Sequence, residues 1–357
     1  MVMIVDRITW FLDRAVEYSF AAFTSWTSFT KAIGSILYTF TDLNSGLAWP
    51  FLFASMLIAG GVFIHSKKRG DTPAQSFGAF LFPRHVYGHP SALVDYKLYV
   101  INTLFKYLLL VPIMAGIGMV GYKAMTSALI DGLSWTPPRT MPPLYLFATA
   151  FGWFLLYDFI NYCSHVLFHK VPILWSFHQV HHSAEVLTPI TAYRAHPMEL
   201  LVPAFLQAPA IGLVSVFYQN LLPHDMEMTM VFGVSLFPFV FALFGHHLQH
   251  SHVWLSFGPW LSRLYISPAQ HQIHHSSDPR HRDKNFGVKF AVWDALFGTL
   301  YIPKAPETIQ VGLPGIASCE FSTVRQLYFL PFRKAAKEFI GLALKCMPEG
   351  LFQERYR

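Results

Sequence analysis

Ten of the chain's 18 histidines fall into four tight clusters at the ends of apolar stretches. They read His165-x-x-x-His169, His178-x-x-His181-His182, His246-x-x-x-His250 and His271-x-x-His274-His275. Residues three and four apart share one face of a helix, so each cluster aims its imidazoles at one spot. Neutral imidazole suits iron, zinc, copper and nickel. Ten imidazoles are too many for one ion and enough for two. A lone H-x-x-x-H is common among core and surface histidines, whereas two H-x-x-H-H boxes beside two such pairs are not.

The chain around the clusters reads as a membrane protein, with 53% hydrophobic and only 13% charged residues. Apolar stretches at 47–64, 99–120, 144–161, 200–218 and 228–244 are long enough to cross about 30 Å of hydrocarbon as helices. Lys106 lies near the start of the second. The last two are joined by a short loop holding Pro223 and Asp225 and read as a helical hairpin. Asp6, Asp13 and Glu17 interrupt the N-terminal segment, so it is no secretory signal. Its Trp10, Phe11, Tyr18 and Trp26 suit helices lying in the interface. Lys67, Lys68 and Arg69 follow the first stretch and set that end in the cytoplasm. Alternating spans then bring all four histidine clusters to the same cytoplasmic face.

The expected fold is therefore an all-α integral membrane protein. About four to five transmembrane helices would carry a cytoplasmic helical cap that holds a di-metal histidine site. The expected divisions are an interfacial segment at 1–46, a first hairpin with its loops at 47–143, a catalytic domain at 144–301 and a cytoplasmic tail at 302–357. The stretch 67–95 is expected to be a surface loop. The tail sets Arg333, Lys334 and Lys337 among Phe332, Phe339 and Ile340, an amphipathic pattern suited to resting on the membrane. The net charge of +6 fits anionic lipid headgroups, and no nucleic-acid motif is present. Cys163, Cys319 and Cys346 make no disulfide framework and no C-x-x-C.

Residues 144–301 resemble the fatty acid hydroxylase/sterol desaturase superfamily of membrane di-iron enzymes. The likeness rests on Asp158-Phe-Ile-Asn-Tyr-Cys-Ser-His165-Val-Leu-Phe-His169 and Trp175-Ser-Phe-His178-Gln-Val-His181-His182. It continues through Tyr193-Arg194-Ala-His196-Pro197-Met-Glu199 and Ser267-Pro268-Ala-Gln-His271-Gln-Ile-His274-His275. It closes on Asn285-Phe-Gly287, Trp293-Asp294 and Phe297-Gly298-Thr299-Leu-Tyr301. The resemblance implies His165, His169, His178, His181, His182, His246, His250, His271, His274 and His275 as ligands of two iron ions. Zinc can occupy such sites in purified protein.

Within 245–252 four histidines compete for two ligand places, which leaves the roles of His247 and His252 open. His196 lies in a motif without a ligand partner and reads as a supporting residue. Asp158, Glu199 and Asp294 are expected close behind the ligands, where carboxylates offset the positive charge, with helix-end or arginine pairing as the competing reading.

The implied reaction is hydroxylation or desaturation of a lipid, sterol or fatty acyl, with O2 as co-substrate. No haem or flavin motif is present, so the two electrons come from a small cytochrome or ferredoxin with its reductase. Ether-lipid cleavage of the alkylglycerol monooxygenase kind, which would need a reduced pterin, is one alternative. A membrane zinc hydrolase is another, weakened by the absence of H-E-x-x-H. Histidines strung along a transport path are a third, but that would scatter ionisable groups near mid-membrane. The expected location is a membrane with the site facing the cytoplasm, a bacterial inner membrane before endoplasmic reticulum.

Overall fold

The computed structural model describes residues 24–43, 45–111, 113–114, 116–117, 120–121, 123, 142–221, 230–231, 234–315 and 320–345. Regular structure among the described residues is almost wholly helical. Helix α1 spans Trp26–Leu37 and α2 spans Trp49–Arg69. Pro50 sits in the first turn of α2, where no backbone donor is needed, and Gly70 ends the helix in the left-handed region at φ 75°. Lys67, Lys68 and Arg69 fill its last turn, where cations suit the helix dipole. Among the described residues, α2 alone is both long and apolar enough to cross a membrane.

The expected surface loop is instead largely helical. It contains α3, Phe77–Leu81, and α4, Arg84–Tyr87, before α5, Pro90–Phe105, begins. Ser76 Oγ accepts from Ala79 N–H at 3.2 Å and His89 Nδ1 accepts from Ser91 N–H at 3.2 Å, two local caps that order this stretch. Helix α5 widens into a π turn at Lys106–Leu110, and part of the second expected span lies outside the described residues.

Helix α6, Pro143–Lys170, runs 28 residues and so carries His165 and His169 beyond the apolar stretch that begins it. An extended Val171 breaks the chain, and Pro172 starts α7, Pro172–His182, which bears the second histidine box. Helix α8 spans Met198–Leu221.

The expected final span is not one helix. A two-residue antiparallel pair, Met230–Val231 with Val234–Ser235, precedes α9, Leu236–Leu243. Eight residues reach only about 12 Å. Pro238 lacks the N–H that a longer helix would use there, so it confines itself to the first turn of α9. Gly245 at φ 77° then turns the chain into the His246–Leu248 turn. Pro223 and Asp225 lie outside the described residues, as do 1–23 of the N-terminal segment.

Three short helices, α10, Gly258–Leu261, α11, Pro268–His274, and α12, Val292–Phe297, and one long one, α13, Val324–Lys345, follow. A capping box closes the start of α11, where Ser267 and Gln270 satisfy each other's backbone donors.

The apolar core is divided. One cluster joins Ala59, Leu81, Leu248 and Val253, and a second joins Leu98, Val180, Phe321 and Leu327. The second cluster ties the tail helix α13 to α7, so the amphipathic tail covers the site scaffold with one side. Its Phe329, Phe339 and Ile340 remain exposed. Outward-facing apolar residues also line α2 and α6, among them Phe53, Leu57, Ile64, Leu144, Phe147 and Phe151.

Candidate metal centre

Nine of the ten predicted histidines come together in two groups. His165, His169, His178, His182 and His274 form one, and His181, His250, His271 and His275 form the other. Within each group the ligand-capable nitrogens lie within 4.8 Å of one another. His165 and His169 sit one turn apart on α6, and His178 and His182 sit one turn apart on α7. His181, three residues after His178, points to the other group, so α7 serves both. His274 and His275 end α11 on two different faces and likewise divide between the groups.

In the five-histidine group all five Nε2 atoms are buried and have no hydrogen-bond partner. Buried polar atoms are seldom left unpaired, and five aimed at one point need a shared positive partner. The other side of three of these rings is anchored. His165 Nδ1–H donates to Phe286 O at 2.7 Å, His274 Nδ1–H to Lys284 O at 2.8 Å and His178 Nδ1–H to Glu199 Oε2 at 2.6 Å. An acceptor at Nδ1 holds the proton there and leaves the lone pair on Nε2, the arrangement a metal-binding imidazole needs.

In the four-histidine group the Nε2 atom of His250 lies 3.2 Å from that of His181, 3.0 Å from that of His271 and 3.1 Å from that of His275. A ring nitrogen carries one proton or one lone pair and cannot satisfy three neighbours at once. Two nitrogens bound at about 2.1 Å to one ion, at right angles, stand about 3 Å apart. The donor sets of both groups therefore fit metal ions.

Burial keeps these rings neutral. It pushes His165 down to about 4 and His181 to about 3, and lowers His169, His178, His182, His250, His271, His274 and His275 well below the usual imidazole range. Neutral imidazole is the ligand form.

The three expected carboxylates play different parts. Glu199 alone touches a histidine of either group; its other oxygen accepts from His196 N–H at 2.7 Å. Burial pushes its carboxyl up to about 8, a shift that a cation held by His178 opposes. Asp294 accepts from Phe286 N–H and Gly287 N–H, both at 2.8 Å, and from Thr299 Oγ1 at 2.5 Å. It thus fastens the loop whose Phe286 carbonyl orients His165. Asp158 hydrogen-bonds none of these histidines and accepts from Phe290 N–H at 3.1 Å and Trp293 Nε1–H at 3.0 Å, with Lys289 at 3.8 Å.

The remaining histidines divide clearly. His246 lies in neither group; its ring stands 5.9 Å from Phe241 and 5.8 Å from His247. His252 Nε2–H donates to Phe80 O at 2.7 Å and His196 Nε2–H to Tyr328 O at 3.1 Å, so both brace the backbone. His281 is buried, with Nε2 3.2 Å from Glu307 Oε2.

Sequence reasoning missed a buried ion pair between Asp95 of α5 and Arg194, at 2.5 Å. Arg194 lies in the Tyr193–Glu199 motif, and Asp95 is the lone acid of α5; both were visible signals.

The match to known proteins follows the same residues. A model of the fatty acid hydroxylase family covers residues 150–299, which include all nine converging histidines. Over these residues the chain is similar to the fatty acid hydroxylase family. It is 30% identical over 184 residues to an ornithine lipid hydroxylase of Rhizobium tropici, covering 52% of this chain and 50% of that one. It is 30% identical over 151 residues to the alkylglycerol monooxygenase of Homo sapiens, covering 42% and 30%. A fatty acid hydroxylase of Lecanicillium is 27% identical over 169 residues, covering 44% of each chain. The chain spans half or less of the length of these relatives. No solved structure matches it.

Proposed function

We propose that this chain is a member of the fatty acid hydroxylase family and a membrane-bound, O2-dependent lipid hydroxylase with two iron ions, one in each histidine group. The observation that carries the reading is the convergence of nine neutral imidazoles, seven buried and two half-buried, on two points. When bound, a pair of irons supplies the activation of O2 for attack on an unactivated C–H bond. The protein's own share is to present Nε2 lone pairs, to hold the Nδ1 protons on Phe286, Lys284, Glu199 and Arg194, and to keep water from the buried rings.

The substrate class is a lipid. The named activities of the relatives, two lipid or fatty acid hydroxylases and one monooxygenase, favour hydroxylation over desaturation. Ether-lipid cleavage is the second reading, favoured by the alkylglycerol monooxygenase match and dependent on a reduced pterin. Electrons would come from a small cytochrome or ferredoxin with its reductase. Helix α2 and the outward apolar residues of α6 support a membrane location. The basic last turn of α2 supports a cytoplasmic site, and the Rhizobium relative supports a bacterial inner membrane.

Mass spectrometry of lipids from cells with and without the gene tests the reaction. A lipid gaining one oxygen only when the protein is present is the expected result. Unchanged lipids in cells that hold the iron-loaded protein would contradict it, and a loss of two hydrogens would replace hydroxylation with desaturation.

A further inference from the structure

Arg194 is one of the largest fully buried side chains among the described residues, and every arm of it is engaged. Nη1–H donates to Asp95 Oδ1 at 2.5 Å. Nε–H donates to Val180 O at 2.9 Å and to Ser183 Oγ at 3.1 Å. Nη2–H donates to Ser183 Oγ at 2.8 Å and to Phe321 O at 3.0 Å. The second oxygen of Asp95 accepts from Thr191 Oγ1 at 2.7 Å. A single guanidinium thus joins α5, the end of α7, the 189–193 turn and the segment leading into α13.

The same residue grips His181 from two sides. Its side chain fixes the carbonyl of Val180, the residue before His181, and its own carbonyl accepts from His181 Nδ1–H at 3.2 Å. A buried ion pair is weak evidence for stability, because well-packed apolar residues often serve as well, so its retention calls for another reason. His271 of the same group has no partner at Nδ1, which leaves that group with less outer support than the five-histidine group. Outer hydrogen bonds of this kind set ring orientation and metal affinity.

We propose that Arg194 and Asp95 are positioning residues that hold His181 in register and thereby set metal binding at the four-histidine group. This rests on the di-iron reading above. It also gives α5 and the tail, both outside residues 150–299, a part in the site.

The test uses full-length protein loaded with iron(II), wild type beside Arg194→Gln, Arg194→Lys and Ser183→Ala. Iron per chain, the rate of iron extraction by a chelator and the melting temperature are measured together. The expected wild type holds two ions. Arg194→Gln is expected to hold one that leaves at the wild-type rate. Arg194→Lys retains the charge opposite Asp95 but cannot span Val180 O and Ser183, so it should be intermediate. Ser183→Ala removes one acceptor without stranding a charge, and one of its two ions should leave roughly tenfold faster. It carries the test if Arg194→Gln does not fold. Two ions released at the wild-type rate from folded variants would overturn the positioning role alone. Loss of both ions in step with melting would reduce the pair to a structural role and overturn it too. A folded wild type holding fewer than two ions would overturn the di-iron reading and this proposal with it.

Discussion

Replacing Glu199 with Gln tests the outer support of the five-histidine group with almost no change of shape. Two donors face this side chain, His178 Nδ1–H at 2.6 Å and His196 N–H at 2.7 Å, and its surroundings are buried. A carboxylate accepts both. The amide has one carbonyl oxygen, so its NH2 must face one of the two donors. Leaving a buried donor unsatisfied costs about 1–3 kcal/mol, or roughly 5- to 150-fold in an equilibrium constant. If the amide oxygen keeps His196, the cost falls on His178, which then turns or changes tautomer. Metal affinity at the five-histidine group should fall by roughly 10- to 100-fold. The four-histidine group has no contact with Glu199 and should keep its affinity. Competition titration with a chelator of known affinity separates the two ions. Equal weakening of both, or of neither, would refute the reasoning.

His274→Ala should abolish activity and lower metal content by removing one of five converging Nε2 atoms, whereas His281→Ala should keep both ions and lose about 1–3 kcal/mol of stability from its buried site beside Glu307; elemental analysis and thermal melts distinguish the two. Gly287→Ala should destabilise the fold by about 1–3 kcal/mol and disturb His165, because a Cβ there would meet Phe290 O at 2.5 Å, Asp294 Oδ2 at 2.8 Å and Ile266 Cγ1 at 2.9 Å; refolding midpoints and iron content read this. Acid should unfold the protein and release its metal over one range. His165 is held down to about 4 by burial while the unfolded chain protonates near 6.5, so this contribution is full above about 6.5 and lost as pH falls toward 4; melting temperatures measured from pH 7.5 to 4.5 check it.

The histidine geometry was the most legible part of the chain, because i, i+3 and i, i+4 spacing is a local property of helices such as α6, α7 and α11. It is less informative where the local structure is not an α-helix. His246 and His250 straddle a tight turn after Gly245, so four-residue spacing there does not put both rings on one face. The carboxylates were harder. Asp158 shares the face of His165 in sequence, yet its partners Phe290 and Trp293 come from more than a hundred residues away. The arginine clamp has the same character, joining Asp95 to Arg194 and Phe321. Hydropathy marked 228–244 as a span but carried no information about the donor missing at Pro238. The tail's amphipathic pattern was real, but its covering partner, α7, is a tertiary fact.

Counting iron in full-length protein made in iron-replete cells and purified without chelators tests whether the two histidine groups hold two iron ions. Two ions per chain are expected, with His274→Ala and His275→Ala each losing iron from a different group. One ion per chain, or none, in folded protein would contradict this.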